Sequence, residues 1–449
     1  MTFSQSGSHS QEAEAPAGAV TAAIPAEEEP VATAVAVAAA PDVLANSLSD
    51  YLANWWRRVR SGDSGVLPVI VGLAVIVAVF EIDTSLYLSA GNIVNLLNQT
   101  VVFLLFAMGE VFVLLLGEID LSMVYVAGIG AGIMAAFVVA PIGLPWWLAI
   151  ICGLAATSII GALQGTLITR LGLPSFIVTL AGFIGWQGVM IWMFDSLSVA
   201  VGGVISVAQG SVIWSIVNSQ MSPVAGWILM AVVVTLYAAY SITRDTRRKA
   251  SGLVSPPISL TSLKAAAVAA AGILLVIICN VNRGTTSTKV EGVPYSIPCV
   301  LAIFAVSSFV LARTRFGRYI YAIGGNTEAA RRAGINVKMI RTLAFVVAGL
   351  FAGLAGLMYL SQQGSIATNI DSTFVLYAVA AAVIGGTSLF GGRGKPLHAV
   401  LGAVVIAAVY NGIYLIGLSA AANYMVTAVV LLVAVTVDSV ARRGSIVGR

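Results

Sequence analysis

Long apolar runs constrain this chain more than any other feature of its sequence. Of its 449 residues, 59% are hydrophobic and only 9% are charged. A helix needs about 20 mainly apolar residues to cross a bilayer, and lipid offers no water to an open backbone, so each run should be helical. The sequence therefore predicts an all-α fold, a polytopic membrane helical bundle of about 10–12 transmembrane helices.

Apolar runs of spanning length recur from residue 66 to the C-terminal region. We predict about twelve spans, near 66–81, 101–117, 121–140, 146–168, 174–194, 225–243, 263–281, 296–312, 342–360, 373–390, 397–417 and 421–439. The connection 84–100 and the turn at Glu118 could each conceal a re-entrant or broken helix. The number of spans therefore stays open at this stage.

The basic residues are distributed unevenly between the two sides that these spans define. If the N-terminus is inside, all of the 23 Lys and Arg residues except Arg283 and Lys289 fall on cytoplasmic segments. Cytoplasmic loops of membrane proteins carry such an excess of basic residues. The pattern predicts a multi-pass protein of the cell (cytoplasmic) membrane with both termini cytoplasmic.

The regions outside the predicted spans differ in composition. Residues 1–50 are rich in Ala, Glu and Pro and carry acids without any Lys or Arg, which predicts a disordered acidic cytoplasmic tail. Residues 51–65 are basic and aromatic, as is typical of a juxtamembrane segment. Residues 66–440 should form the transmembrane domain, with a cytoplasmic loop at 313–341, and residues 441–449 a cytoplasmic C-terminal tail.

Histidine and cysteine give no sign of metal chemistry or catalysis. His9 and His398 are the only histidines, and neither has a companion ligand nearby in the sequence. The three cysteines are scattered through apolar runs without the spacing of a metal site. We therefore predict that they are small buried hydrophobic residues. We therefore predict no catalytic residue, no metal site and no enzyme activity for this chain.

One glycine-rich segment imitates a phosphate-binding loop. Gly394 and Lys395 match the end of that motif, but Leu389 stands where its first glycine belongs and Pro396 where Ser or Thr belongs. We predict a tight cytoplasmic turn here, with a contact to a nucleotide-hydrolysing partner as the alternative. No cofactor is predicted to bind to the chain directly.

Acidic residues inside apolar stretches are the most telling polar positions. A charge at the bilayer centre costs about 2.5–3.5 kcal/mol on insertion scales, so Glu110, Glu118 and Asp120 should face protein or water. Asp120 with Ser122 is predicted to cap a helix that starts near Leu121, and a direct role in a transport path is the alternative. The candidates for a translocation path or structural motif are Gly117, Glu118, Asp120, Ser122, Asn98 and Asn411.

A short charged segment, GGNTEAARRAG at 324–334, lies between two predicted spans. Asn326 or Thr327 can cap a helix of about two turns, which Gly334 can end. An isolated helix of this length is marginal in water, so a partner with a cleft should hold it. A plain solvated connector is the alternative. The predicted docking residues are Gly325, Asn326, Glu328, Ala329, Ala330, Arg331 and Gly334.

Four ordered motifs resemble the permease subunits of ribose- and xylose-type ABC sugar importers. GEIDLS at 117–122 is similar to the GGIDLS motif of that family. The similarity continues through the three segments LPSFIVTLAGFIGWQGV at 173–189, FGRYIYAIGGNTEAARRAGINV at 316–337 and VIGGTSLFGGRGKPLHAVLGAVVI at 383–406. Glu118 departs from the glycine of the ribose-type motif and is closer to xylose-type permeases. The basic linker and the added span around 244–281 lie outside the recognisable pattern.

This resemblance implies a function and a set of partners. A separate ABC ATPase subunit would hydrolyse ATP and receive the helix at 324–334 in a groove. An extracellular or periplasmic sugar-binding protein would dock on segments at 82–100, 195–224, 282–295 and 362–372, where Asp371 is one of the exposed charges expected. A second permease copy would complete a homodimer in membrane lipid, with no nucleic acid involved. Xylose is favoured as the substrate, with ribose or another sugar as alternatives.

Two rival classes are open. A membrane-embedded enzyme would need a polar catalytic cluster facing a cavity, which the two lone histidines and the few paired acids disfavour. An ion-coupled secondary transporter of a small polar solute is the other. Such a carrier would run without an ATPase and would use Glu110 or Asp120 as a proton or sodium site at a broken helix.

Overall fold

The computed structural model describes residues 67–417 except 198, 254–255 and 286–287, together with scattered positions between 419 and 432. The predicted tails at 1–50 and 441–449 and the juxtamembrane segment 51–65 lie outside the described residues. Of the last predicted span, 421–439, only scattered positions are described.

The described elements are mostly long helices. They are α1 (Leu67–Asp83), α2 (Ala90–Leu114), α3 (Met123–Val138), α4 (Trp146–Leu171), α5 (Ser175–Ser196), β1 (Val204–Ser206), α6 (Val212–Asn218), α7 (Pro223–Ala250), α8 (Ile258–Cys279), α9 (Ser296–Arg313), α10 (Arg315–Gly325), α11 (Thr327–Arg332), α12 (Val337–Gln363), β2 (Ser365–Ala367), α13 (Phe374–Ile384) and α14 (Pro396–Ile416).

The all-α, polytopic prediction is confirmed. Eight of the described helices are long and apolar enough to cross a membrane: α2, α4, α5, α7, α8, α9, α12 and α14. The only described sheet is the antiparallel pair of β1 and β2. Helix α2 begins at Ala90, well before the predicted span, because Ser89 caps it by accepting the N–H of Asn92. The connection 84–100 therefore contains the first turns of an ordinary helix.

The spanning helices differ in how much of each the protein buries, which separates an inner from an outer set. Helices α2, α12 and α14 lie inside, and 78% of the most apolar part of α2 is buried within the protein. Helices α5, α7 and α8 lie outside, where the corresponding share is 11%. Apolar side chains that protein does not cover on these outer helices are suited to contact lipid.

Small residues bring the inner helices into close contact. A Cβ atom built on Gly161 of α4 would overlap the carbonyl oxygen of Phe345 on α12, and one on Gly349 of α12 would overlap that of Thr157 on α4. Gly356 approaches Ala127 of α3 in the same way. Such close backbone approach is the usual means of helix packing in membranes. The glycines at 349 and 356 thus serve bundle packing.

Helices α3 and α13 are too short to span a membrane alone. Both are mostly buried, and non-helical segments flank them at 115–122 and 385–395. The predicted span 373–390 is therefore wrong beyond Ile384, because glycines with positive φ, including Gly386 at 113°, break the helix there. The break suspected at Glu118 is present.

Helix α13 starts inside the depth of the bundle. The ring of Phe374, its first residue, lies 5.3 Å from the ring of Phe103, which is near the middle of α2. Segment 368–373 therefore descends from β2 into the bundle. This placement corrects the expectation that Asp371 is a charge on an outer docking loop.

The two ends of the bundle carry different elements. One end, which we call the α11 end, carries α10 and α11, the end of α2 and the turn between α13 and α14. The opposite end carries the β1–β2 pair and α6, which is tied to α12 where Ser361 Oγ accepts the N–H of Val217 at 2.9 Å.

Candidate functional site

Helix α11 has the form that its sequence predicts. The side-chain oxygen of Asn326 accepts the N–H of Ala329 at 2.9 Å, so Asn326 rather than Thr327 is the cap. Gly334 has a φ of 81° and follows the last turn, where the N–H of Ile335 bonds to the carbonyl of Ala330 at 3.1 Å. The helix has 6 residues, close to the expected length of about two turns.

The surface of α11 is polar and open. Glu328 forms ion pairs with Arg331 at 2.9 Å and with Arg332 at 3.3 Å. All three side chains are more than half exposed, so these pairs add little to stability. Gly325, Asn326 and Ala329 are also exposed, whereas Ala330 packs inward. The exposed face is therefore available to a partner.

Helix α10 directly precedes α11 in the chain and anchors it to the bundle. This helix was not predicted from the sequence. Thr314 caps α10 by accepting the N–H of Gly317 at 3.2 Å. Ile320 and Ile323 are buried, and Phe316 stacks on Phe112 of α2. The spacing of Phe316, Ile320 and Ile323 follows one helical face. That periodicity was the signal that could have revealed α10.

Three distant segments meet at the junction between α10 and α11. The N–H of Gly392 donates to the carbonyl of Leu115 at 2.9 Å, which joins the α13–α14 turn to the end of α2. A Cβ atom on Gly324 would overlap the Leu115 carbonyl oxygen and lie 2.6 Å from the nitrogen of Gly392. Tyr321 Oη donates to the carbonyl of Gly394 at 2.8 Å. We call this contact of segments 115–118, 321–325 and 390–394 the junction.

Burial at the junction affects Tyr321 directly. Desolvation of its side chain raises the pKa of the Tyr321 hydroxyl, so the hydroxyl stays protonated and able to donate. Phe390 lies on the α13–α14 turn of the junction, and its side chain is 92% exposed. The glycine pairs at 324–325 and 391–392 were the sequence signal for such close backbone approach.

Glu118 connects the junction to the start of α12. Its carboxylate lies 3.4 Å from Nε of Arg341, and the two side chains are 13% and 29% exposed. Gly117 precedes it with a φ of 76°, a left-handed conformation that favours glycine. Among the predicted site residues, Gly117 and Glu118 therefore lie directly beside the α10–α11 segment.

Asp120 and Ser122 bond to each other before α3 begins. Asp120 Oδ1 accepts both the N–H and the hydroxyl of Ser122, at 2.9 and 2.6 Å. Ser122 occupies the cap position of α3, but its side chain does not cap the helix. Its oxygen instead accepts from the side-chain amide of Gln164 on α4 at 2.8 Å. This pair thus orders the break between α2 and α3 and links it to α4.

Glu110 is fully buried on α2. Neither of its carboxylate oxygens has a hydrogen bond of ordinary geometry among the described residues. Asp120 lies close enough to interact with it electrostatically. Glu110 and Asp120, the two acids that the rival ion-coupled reading invokes, are therefore neighbours.

The two predicted asparagines join helices. Asn98 Oδ1 accepts the hydroxyl of Ser296 on α9 at 3.0 Å. Asn411 Oδ1 on α14 accepts the side-chain amide of Asn92 on α2 at 2.7 Å, where both residues are buried. These bonds give both residues a structural role. A role in a translocation path stays a prediction for them.

Comparison with known proteins shows what the chain is similar to. Residues 92–195 and 185–435 match the family described as branched-chain amino acid transport system / permease component. The chain is 35% identical to the xylose transport system permease protein XylH of Escherichia coli K12 over 383 residues, 84% of this chain and 93% of that protein.

Two further relatives extend the comparison. The XylH protein of Haemophilus influenzae is 33% identical over 390 residues, 85% of this chain and 98% of that protein. The ribose import permease protein RbsC of the same organism is 27% identical over 369 residues, 82% of this chain and 91% of that protein. No solved structure matches the chain.

Proposed function

Because this chain belongs to the branched-chain amino acid transport system / permease component family, we propose that it is the membrane-spanning permease subunit of an ATP-binding cassette importer. Its substrate is a monosaccharide, with xylose first and ribose second, in the order of identity to the two kinds of relative. The chain hydrolyses no ATP itself and binds no cofactor directly.

One observation carries this proposal. Backbone contacts at the junction connect the exposed helix α11 to both broken regions of the bundle, 115–122 and 385–395. A separate ATPase that grips α11 can therefore displace the ends of α2, α3, α13 and α14 together. Transporters commonly form their substrate sites from discontinuous helices, and these broken regions interrupt the bundle beside the short helices α3 and α13. Closure of the ATPase would thereby alternate access to the substrate.

The distribution of charge supports a cytoplasmic location for the α11 end. Arg170, Arg313, Arg318, Lys338 and Arg341 all lie on elements at that end, whereas Arg283 and Lys289 lie at the opposite end. By the positive-inside rule, the α11 end faces the cytoplasm. Both chain termini are proposed to be cytoplasmic as well, in a multi-pass protein of the cytoplasmic membrane.

The partners follow from this orientation. ABC ATPase subunits bind α11 at the cytoplasmic end, and an extracellular or periplasmic sugar-binding protein binds the opposite end near the β1–β2 pair. A second copy of the chain completes a homodimer. Some exposed apolar surface of the outer helices would be covered by that copy and the rest by lipid.

A pull-down from native membranes tests the ATPase partnership. Wild type should recover a P-loop ATPase, and the double variant Glu328→Ala/Gly334→Pro should not, because proline cannot adopt the positive φ of Gly334. Lys249→Ala, an exposed basic residue in the last turn of the outer helix α7, is the control and should retain the recovery. A folded wild-type chain that transports without any ATPase would contradict the proposal.

Reconstitution tests the substrate. Proteoliposomes with the permease, its ATPase and its binding protein should take up labelled xylose when ATP is supplied, and ribose more slowly. Leucine is the control that the family description itself suggests. ATP-dependent uptake of leucine in preference to either sugar would overturn the sugar assignment while keeping the permease assignment.

The ion-coupled carrier remains a second candidate because of Glu110. Within the described part of the chain, its buried carboxylate has no hydrogen bond of ordinary geometry, and a second acid lies near it. Neighbouring intramembrane acids are typical of proton relays. Under that reading, Glu110→Gln would abolish uptake driven by an ion gradient in the absence of ATP. Under the importer reading, wild-type proteoliposomes show no such uptake, and Glu110→Gln leaves ATP-driven uptake in place.

A further inference from the structure

Segment 368–373 is non-helical backbone within the depth of the bundle. It follows β2 and leads into α13, whose first ring, Phe374, contacts Phe103 near the middle of α2. The side chain of Ile370 lies so close to α3 that a Cβ atom on Gly128 would come within 2.7 Å of its Cδ1. Irregular backbone at membrane depth occurs only where it is buried in protein or lines a water-filled cavity.

Asp371 is the charged residue of this segment. Its Oδ1 atom accepts the N–H of Thr373 at 3.0 Å and the hydroxyl of Thr373 at 2.7 Å, which holds the carboxylate at the start of α13. The residue is only partly buried. A carboxylate at this depth faces protein or a water-filled path rather than lipid.

Tyrosines of three helices lie in the neighbourhood of Asp371. Tyr125 of α3, Tyr359 of α12 and Tyr410 of α14 each lie within range of electrostatic interaction with its carboxylate. These helices are far apart in the sequence and converge only in the fold. One acceptor group and several hydroxyls therefore share one region of the bundle.

The same region presents a continuous aromatic wall. The ring centroid of Phe374 lies 5.8 Å from that of Tyr359 and 5.9 Å from that of Tyr410. Tyr410 in turn lies 4.6 Å from Tyr414, which is 57% exposed. A small apolar recess beside this wall is lined by Tyr359, Phe374, Ile370 and neighbouring apolar residues. Asp371 follows Ile370 directly in the chain, and Tyr410 packs against Phe374 at the edge of this region.

We propose that Asp371, Tyr359 and Tyr410 form the contact for the transported sugar on its way through the permease. The carboxylate and the phenol groups suit the hydroxyls of a neutral polyol, and the ring faces suit its C–H groups. Small-molecule sites commonly combine an apolar, aromatic lining with a few placed polar groups. This assignment rests on the proposed function, whose substrate is a monosaccharide.

The position of this site agrees with the direction of import. It lies between the opposite end, where the binding protein would release the sugar, and the junction, through which the ATPase would act. Helix α13 joins the two, since Asp371 precedes its first residue and the glycine-rich turn of the junction follows its last. Movement at the junction would thus reach the sugar contact through one short helix of 11 residues.

Uptake by the complete complex in proteoliposomes tests the proposal. Tyr359→Phe and Tyr410→Phe each remove one hydroxyl and keep the ring, so each should lower xylose uptake about tenfold, the effect of one lost hydrogen bond. ATPase recovery and ATP hydrolysis should stay at the wild-type level. Tyr240→Phe, on the outer helix α7, is the matched control and should transport normally.

A labelling experiment keeps the proposal testable if these variants fold poorly. In a chain whose native cysteines are replaced, Ile370→Cys should react with a water-soluble thiol reagent, and xylose delivered by the binding protein should slow that reaction. A thiol that xylose does not protect, or tyrosine variants that transport like wild type, would overturn the sugar contact. If the wild-type complex imports no sugar at all, the proposed function itself fails.

Discussion

At the scale of the residue, Gly324 is a position that leaves no room for a side chain. A Cβ atom there would overlap the carbonyl oxygen of Leu115, and a backbone atom cannot rotate away as a side chain can. The adjacent Gly325 has no heavy atom within 4 Å of such a Cβ. Gly324 therefore does not tolerate a side chain, whereas Gly325 does. Only the tertiary structure distinguishes these two neighbouring glycines.

Gly324→Ala should lower the free energy of unfolding by about 1–3 kcal/mol, the usual effect of an added methyl group in a packed site. Thermal unfolding of the detergent-purified chain measures this, and Gly325→Ala is the control that should unfold like wild type. Equal unfolding temperatures for the two variants would show that the junction does not hold α10 against α2.

The Glu118–Arg341 ion pair is intermediate in burial between an exposed and a fully buried ion pair. Exposed pairs contribute about 0.2–1 kcal/mol, and breaking a buried pair costs about 3–5 kcal/mol. With side chains 13% and 29% exposed, we expect Arg341→Gln to destabilise the chain by about 1–2 kcal/mol. Lys338→Gln, one turn earlier on α12, should change stability little.

A double-mutant cycle with Glu118→Gln separates the pair from its surroundings. If the two side chains interact as the structure indicates, the double variant should be less destabilised than the sum of the single variants. Strict additivity of the two unfolding free energies would mean that the ion pair contributes nothing.

At the scale of the element, the α4–α12 contact depends on the absence of side chains. Gly161→Ala would place a methyl group against the carbonyl of Phe345, which should separate the two helices and destabilise the bundle by about 1–3 kcal/mol. Gly185→Ala on the outer helix α5 meets no atom within 4 Å. It should be neutral or slightly stabilising, because alanine has the higher helix propensity. Unfolding temperatures of the two variants make the comparison.

The sequence predicted some elements better than others for physical reasons. Helix α11 was predictable because Asn326 and Gly334 act on their own chain neighbours. The end of α13 was mispredicted because the apolar Leu389 and Phe390 follow the glycines that break the helix. The length of an apolar run indicates that its residues are buried or contact lipid. It does not distinguish a helix from a buried turn.

At the scale of the whole molecule, the orientation in the membrane is the main prediction. In chains whose native cysteines are replaced, Lys338→Cys should react with an impermeant thiol reagent only when the cytoplasmic side is exposed. Arg283→Cys, at the opposite end, should react from the outside. Labelling of both positions from the same side would contradict the predicted topology, and the reverse pattern would invert it.

Local sequence by itself determined the class, most of the apolar helices and the short capped helix α11, because apolar length and end-capping are properties of local sequence. Only the tertiary structure decided that Leu115, Gly324 and Gly392 touch, and that Asp371 lies among tyrosines inside the bundle rather than on an outer loop. These contacts join residues far apart in the chain. They depend on how closely whole helices approach, which no local pattern of residues specifies.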